Sequence, residues 1–197
     1  MNNNNNYIIN YVGVTGKLTT IDFLYEENHK KYYKAYMEVK KNDFQFNVLP
    51  IIICEDLLLN INTKKNINIT GSIHSKNFKS SSLIERLKPK TYIYAEKVKN
   101  TEKLIIRKAN IVSLKGTIWK NPSIKELHTG LVMGSTIIKV YREDNIDDHI
   151  RIIAYKENAL YLEKLKKGDK VSVIGRFIHI KKKTDFYDVF AMVIENK

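Results

Sequence analysis

Three stretches of this 197-residue chain occur twice, in the same order. Asn10-Tyr11-Val12-Gly13-Val14-Thr15-Gly16-Lys17-Leu18 returns as Asn110-Ile111-Val112-Ser113-Leu114-Lys115-Gly116-Thr117-Ile118, at an offset of 100. Ile67-Asn68-Ile69-Thr70-Gly71-Ser72-Ile73-His74 returns as Val171-Ser172-Val173-Ile174-Gly175-Arg176-Phe177-Ile178-His179, with the two histidines one residue out of register. Each unit then closes on a strand-like segment, Thr91-Tyr92-Ile93-Tyr94-Ala95-Glu96 and Tyr187-Asp188-Val189-Phe190-Ala191-Met192. A fixed order of matches indicates two copies of one folding unit. The copies are residues 1–100 and 101–197, meeting at 100–109 through the short link Thr101-Glu102-Lys103.

Within each copy, apolar and polar residues alternate with a period of two, the pattern of half-buried strands. In the second copy Ile111, Leu114 and Ile118 lie on a first strand ending at Asn121-Pro122. Residues 136–140, 150–154, 171–180 and 187–194 supply four more. Residues 156–165 have helical spacing, with Ala159, Leu162 and Leu165 on one face and Gly168 as the stop signal. Five strands with a helix between the third and fourth is the order of an OB-fold, a small Greek-key barrel. The expected fold is therefore all-β, two tandem OB-folds with a short helix each. Gly16, Gly116, Gly71 and Gly175 fall inside strands one and four, where a five-stranded barrel has to bend. The first copy has a shorter helix, residues 55–59, and a long loop at 76–90 that holds Ser80-Ser81-Ser82.

The formal charge of +13, from 34 Lys and Arg against 21 Asp and Glu, predicts a polyanionic partner. It divides as +6 in residues 1–100 (15 basic, 9 acidic) and +7 in 101–197 (19 basic, 12 acidic), so both copies face the same kind of partner. Only Arg86, Arg107, Arg142, Arg151 and Arg176 are arginines; lysine, a mobile point charge, suits backbone attraction better than the reading of base edges. Cys54 is the single cysteine, which excludes an internal disulfide and a cysteine metal cluster and fits a cytoplasmic protein. No apolar run reaches the roughly 18–20 residues of a membrane span, and the longest, 48–54, contains Pro50. Met1 and the run Asn2 to Asn6 lack the form of a secretory signal and read as a low-complexity segment.

The second copy carries a family resemblance. Asn110-Ile111-Val112-Ser113-Leu114-Lys115-Gly116, then Asn121-Pro122 and Leu127-His128-Thr129-Gly130, are similar to the opening of bacterial-type single-stranded DNA-binding proteins. The similarity continues through 148–156 and then through Leu165-Lys166-Lys167-Gly168-Asp169-Lys170, which feeds a strand ending in Gly175-Arg176-Phe177. The first copy shares it only through the internal repeat. The resemblance implies bases stacked on aromatic side chains while basic residues track phosphates, stacking being sequence-tolerant because every base has a π-face. It puts Tyr155 on a stacking position at the end of strand three and His149 on another at its start. At two further stacking positions the chain has Asp144 and Lys182, for which Trp119, Tyr141, Phe186 and Tyr187 are the substitutes.

The residues themselves leave alternatives open. Tyr155 ends an apolar strand and reads equally as a core-edge ring, Trp119 as a barrel cap, and His149 beside Asp147 and Asp148 as a solvated loop histidine. Asp147 and Asp148, being adjacent, point to opposite faces in a strand or are solvated in a turn. Lys181, Lys182 and Lys183 fall in the loop between strands four and five, which OB-folds use for nucleic acid, and Arg151 and Arg176 lie in strands on the binding side. In the first copy Tyr32, Lys34 and Tyr36 share one face of strand two, since residues two apart point the same way; that face is either a ring-and-lysine platform or the barrel core.

No deaminase, phosphate-loop or nucleophile-elbow pattern is present, and His29, His74, His128, His149 and His179 have no metal-ligand spacing. The expectation is a non-enzymatic protein without cofactor or metal that binds single-stranded DNA with little sequence preference in replication, recombination or repair. Two other functions fit the same barrels: a protein-interaction subunit of a replication, primosome or conjugation complex, and an RNA-binding OB pair. The resemblance also implies a homodimer presenting four barrels. The ending Val193-Ile194-Glu195-Asn196-Lys197 lacks the acidic tip with which family members recruit repair enzymes.

Overall fold

The computed structural model describes residues 9–42, 44–76, 90–102, 108–142, 146–179 and 187–196. The Asn2 to Asn6 run, Ser80 to Ser82, Lys103, Asp144, Lys181 to Lys183 and Phe186 lie outside these residues. The first unit holds β1 (Asn10–Glu27), β2 (Lys30–Lys40), β3 (Phe46–Cys54), α1 (Glu55–Leu58), β4 (Ile67–Lys76) and β5 (Lys90–Asn100). The second holds β6 (Asn110–Glu126), β7 (Val132–Val140), β8 (Asp148–Tyr155), α2 (Glu157–Glu163), β9 (Lys170–His179) and β10 (Tyr187–Asn196).

Each set of five strands closes on itself. The order runs β2-β3-β5-β4-β1 with β1 also pairing β2, and β6-β7-β8-β10-β9 with β6 also pairing β9. The one parallel contact in each barrel, β3 with β5 and β8 with β10, spans the helix-bearing connection. These are two OB-folds, with a short helix between strands three and four of each, as the alternation and the repeat predict.

The barrels close where glycine removes a side chain. A Cβ on Gly16 would press on the Glu38 carbonyl, and one on Gly116 on the Lys139 carbonyl. Both sit where the first strand passes from one neighbour to the next, and Gly71 and Gly175 meet the carbonyls of Tyr94 and Phe190 in the same way. The requirement is close approach of two backbones, since none of the four has a positive φ.

Two boundaries differ from the sequence reading. β6 runs through Asn121-Pro122 to Glu126; its register with β7 breaks between Lys120 and Ser123, so Pro122 occupies a bulge where no ladder donor is needed. α2 ends at Glu163, and Gly168 (φ 101°) is not its stop. It serves the turn into β9, where the Lys166 N–H donates to Asp169 Oδ2 at 2.9 Å. The predicted helix face is nevertheless buried, with Ala159, Leu162 and Leu165 all in the core.

The two barrels are joined edge to edge. β1 pairs antiparallel with β6 from Asn10↔Leu114 to Val14↔Asn110. Because the Asn10 backbone is thus turned toward β6, its side chain completes the ladder on the other side. The Asn10 Nδ2 donates to the Ile73 carbonyl at 2.8 Å, and the Ile73 N–H donates to Asn10 Oδ1 at 2.9 Å. Asn110 does the same to Phe177, at 2.6 and 2.9 Å. The repeated asparagine is therefore a backbone clamp. A second junction is polar and buried: Asp148 Oδ1 accepts from the Ser75 N–H at 2.6 Å and from Ser75 Oγ at 3.2 Å. The His149 N–H donates back to Ser75 Oγ at 2.8 Å.

Candidate nucleic-acid interface

On β2 the core takes Ala35, Met37 and Val39, which leaves Tyr32, Lys34 and Tyr36 on the outer face of the first barrel. The Lys34 Nζ lies 4.9 Å from the centre of the Tyr36 ring. Tyr32 is the middle of a longer row. Tyr25 of β1 stacks on it at 4.9 Å, and Tyr94 of β5 lies 6.3 Å away. Tyr94 in turn stacks on His74 of β4 at 5.0 Å with rings 4° from parallel. Tyr32 and Tyr94 flank the end of β3, where Tyr32 pairs with Cys54.

Burial and the neighbouring Tyr32 push the Tyr94 hydroxyl well above the ordinary tyrosine value, and burial raises Tyr25 and Tyr92 as well. These rings stay neutral and present π-faces without a negative charge that would repel phosphate. Beside the row lies a groove of about 480 Å³ with Tyr25, Lys34, Tyr36, Lys90 and Tyr92 among its walls.

The sequence reading missed Tyr25, Tyr94 and His74. Tyr92 and Tyr94 alternate with the buried Ile93 and Ala95, a pattern that marks them as outward-facing. Tyr25 and His74 join the row only through strand pairing, which no local pattern reveals.

On the second barrel, Trp119 is 42% exposed and meets His149 edge-on at 4.7 Å. Lys139, the cross-strand partner of His149, lies 4.7 Å from the centre of the Tyr141 ring and 3.1 Å from Asp147. Trp119, Tyr141, His149 and Lys139 thus form one patch. Burial holds the His149 imidazole below its ordinary value, against the pull of Asp147. The acidic pair is split, since Asp147 faces Lys139 while Asp148 is 0% exposed at the junction of the barrels. The solvated-turn alternative does not hold for Asp148.

Farther along β8, Arg151 pairs with Asp188 at 3.1 Å, so its guanidinium is already engaged. Tyr155, half-buried, lies 5.8 Å from Phe190, and Arg176 stands directly across the β9–β10 ladder from Phe190. Tyr187 corrects the sequence reading. It opens β10 facing inward, is 6% exposed, and packs on Phe177 at 5.7 Å and His179 at 4.7 Å. It is a core ring that also walls the groove. Lys181, Lys182 and Lys183 lie outside the described residues.

Two closed five-stranded barrels in one chain, with rings and cations on their outer faces, define a tandem OB-fold protein. Across 96% of its length the chain superposes on 93% of the single-stranded DNA binding protein from Thermus aquaticus, with a TM-score of 0.75 and 18% identity. A deletion variant of that protein gives a TM-score of 0.72 at 20% identity, covering 96% of this chain and 95% of the other. No family model matches the sequence, and no curated protein matches it either. Among the described residues no helix is long and apolar enough to cross a membrane.

Proposed function

We propose that this chain binds single-stranded DNA with little sequence preference, as two OB units at residues 1–100 and 101–197. The observation that carries the reading is the row Tyr25–Tyr32–Tyr94–His74 on the outside of a closed barrel, with Lys34 and Tyr36 beside it. Aromatic rings in a soluble barrel ordinarily fill its interior; a contiguous outer row interleaved with cations matches what base stacking and phosphate neutralisation require. Trp119, Tyr141, His149, Tyr155 and Arg176 extend the surface over the second barrel, and Lys181, Lys182 and Lys183 add phosphate contacts. Arg151 lies on the same strand as His149 and Tyr155, with its guanidinium held by Asp188. The likeness in fold to a single-stranded DNA binding protein supports the same reading.

The protein acts without catalysis, in replication, recombination or repair in the cytoplasm, as a homodimer of four barrels. Titration of fluorescent oligo(dT) at two salt concentrations tests the binding. The expected log–log salt slope is about −0.7 per phosphate neutralised, and absence of binding at low salt overturns the proposal. Competition with oligo(U) separates DNA from RNA preference.

A further inference from the structure

A cleft of about 320 Å³ opens where the two barrels meet. One wall belongs to the second barrel: Tyr155, Phe190 and Arg176. The other belongs to the first: Lys40 and Lys41 at the end of β2, with Asn47 at the start of β3. No carboxylate is among the described residues that line it.

The register makes this arrangement half of a reciprocal pair. Lys17↔Glu38 in the first barrel corresponds to Thr117↔Lys139 in the second, so Lys41 and Arg142 hold equivalent places beyond strand two. Ile52↔Tyr94 likewise corresponds to Ile153↔Phe190. Arg142 reaches back to the first barrel, where its Nη1 lies 3.0 Å from Nδ1 of His74, the residue stacked on Tyr94. Each barrel therefore sends the cation after its second strand to the outer ring cluster of the other.

We propose that the cleft is a nucleotide site shared by the two barrels, the base resting on Tyr155 and Phe190 and its phosphate held by Arg176 together with Lys40 and Lys41. This rests on the single-strand reading above and adds that one DNA strand passes from barrel to barrel within a chain. The volume lies in the range of about 300–1,000 Å³ in which small-ligand sites fall. The chemistry is divided as binding a nucleotide demands, π-faces from one unit and lysine cations from the other.

The test is oligo(dT) titration of the full chain across salt concentrations. Lys40→Gln with Lys41→Gln is expected to make the slope shallower by about 0.7 for each phosphate no longer neutralised, whereas Lys64→Gln with Lys65→Gln, in the turn before β4, leaves it unchanged. Adding Tyr155→Ala to the seam pair should cost less than the product of the separate affinity losses, because both groups hold the same nucleotide. An unchanged slope in the seam variant, an equal change in the control pair, or strictly multiplicative losses would overturn the shared site while leaving single-strand binding intact. Wild-type protein that fails to bind oligo(dT) at low salt would overturn the underlying reading as well.

Discussion

Asn10 and Asn110 show how much one side chain can carry when it replaces a stretch of ladder. Each amide satisfies an N–H and a carbonyl of the facing strand, and Asn110 does so while buried. In Asn110→Ala the Phe177 N–H and C=O lose their partner away from water, a penalty of roughly 1–3 kcal/mol per group. Urea denaturation should show that loss, and a variant as stable as wild type would mean water replaces the amide. The repeat made both asparagines conspicuous, but their role depends on a diverted backbone that the sequence does not display.

His149 is a second residue-scale case. Its folded pKa is depressed by burial, so between that value and the unfolded value of about 6.5 the unfolded chain binds more protons than the native one. Stability is then complete above that unfolded value and falls as pH drops below it. Urea midpoints at pH 7.5 and 5.5 should draw closer together in His149→Gln than in wild type; an identical gap would assign the acid sensitivity to other groups. Trp119 touches His149 but reads out differently. Trp119→Ala should weaken oligo(dT) binding by about 1–3 kcal/mol with the salt slope unchanged, because stacking releases no counterions.

At the scale of elements, most of the strands were legible because period-two alternation is local, but on β2 alternation only separates two faces, and the burial of Ala35, Met37 and Val39 decides which one is core. What alternation cannot state is how strands meet. The continuation of β6 through Pro122 depends on a bulge against β7, and the early end of α2 on the tightened last turn, where the Lys164 and Leu165 N–H groups donate to the carbonyls of Tyr161 and Leu162. The in-strand glycines were visible as bend points, whereas their actual task, letting one backbone cross under another's carbonyl, required the pairing. Gly116→Ala would push β6 away from Lys139. A loss of roughly 1–3 kcal/mol is expected from such overpacking, read as a lower denaturation midpoint. Because Gly130 has a φ of 74° but open space around it, Gly130→Ala should cost about 1–2 kcal/mol by backbone strain alone.

At the scale of the molecule, the repeat announced two barrels, but the way they join was invisible to it. The β1–β6 pairing, the Asp148–Ser75 contact and the bond from Thr91 Oγ1 to the Tyr187 carbonyl at 2.8 Å all connect residues far apart in sequence. They follow from the burial of both units together rather than from either alone. This junction predicts a single cooperative unfolding transition, since exposing one barrel strips the edge strand and buried polar partners of the other. The sequence supplies the probe: Trp119 is the only tryptophan and reports on the second barrel, while far-ultraviolet circular dichroism reports on both. In urea the two signals should trace one curve. Asp148→Ala, which leaves the Ser75 N–H without its carboxylate, should lower the midpoint and pull the tryptophan and dichroism curves apart. Curves already separate in the wild type would mean that the barrels are independent units and that the edge-to-edge pairing contributes little to their stability.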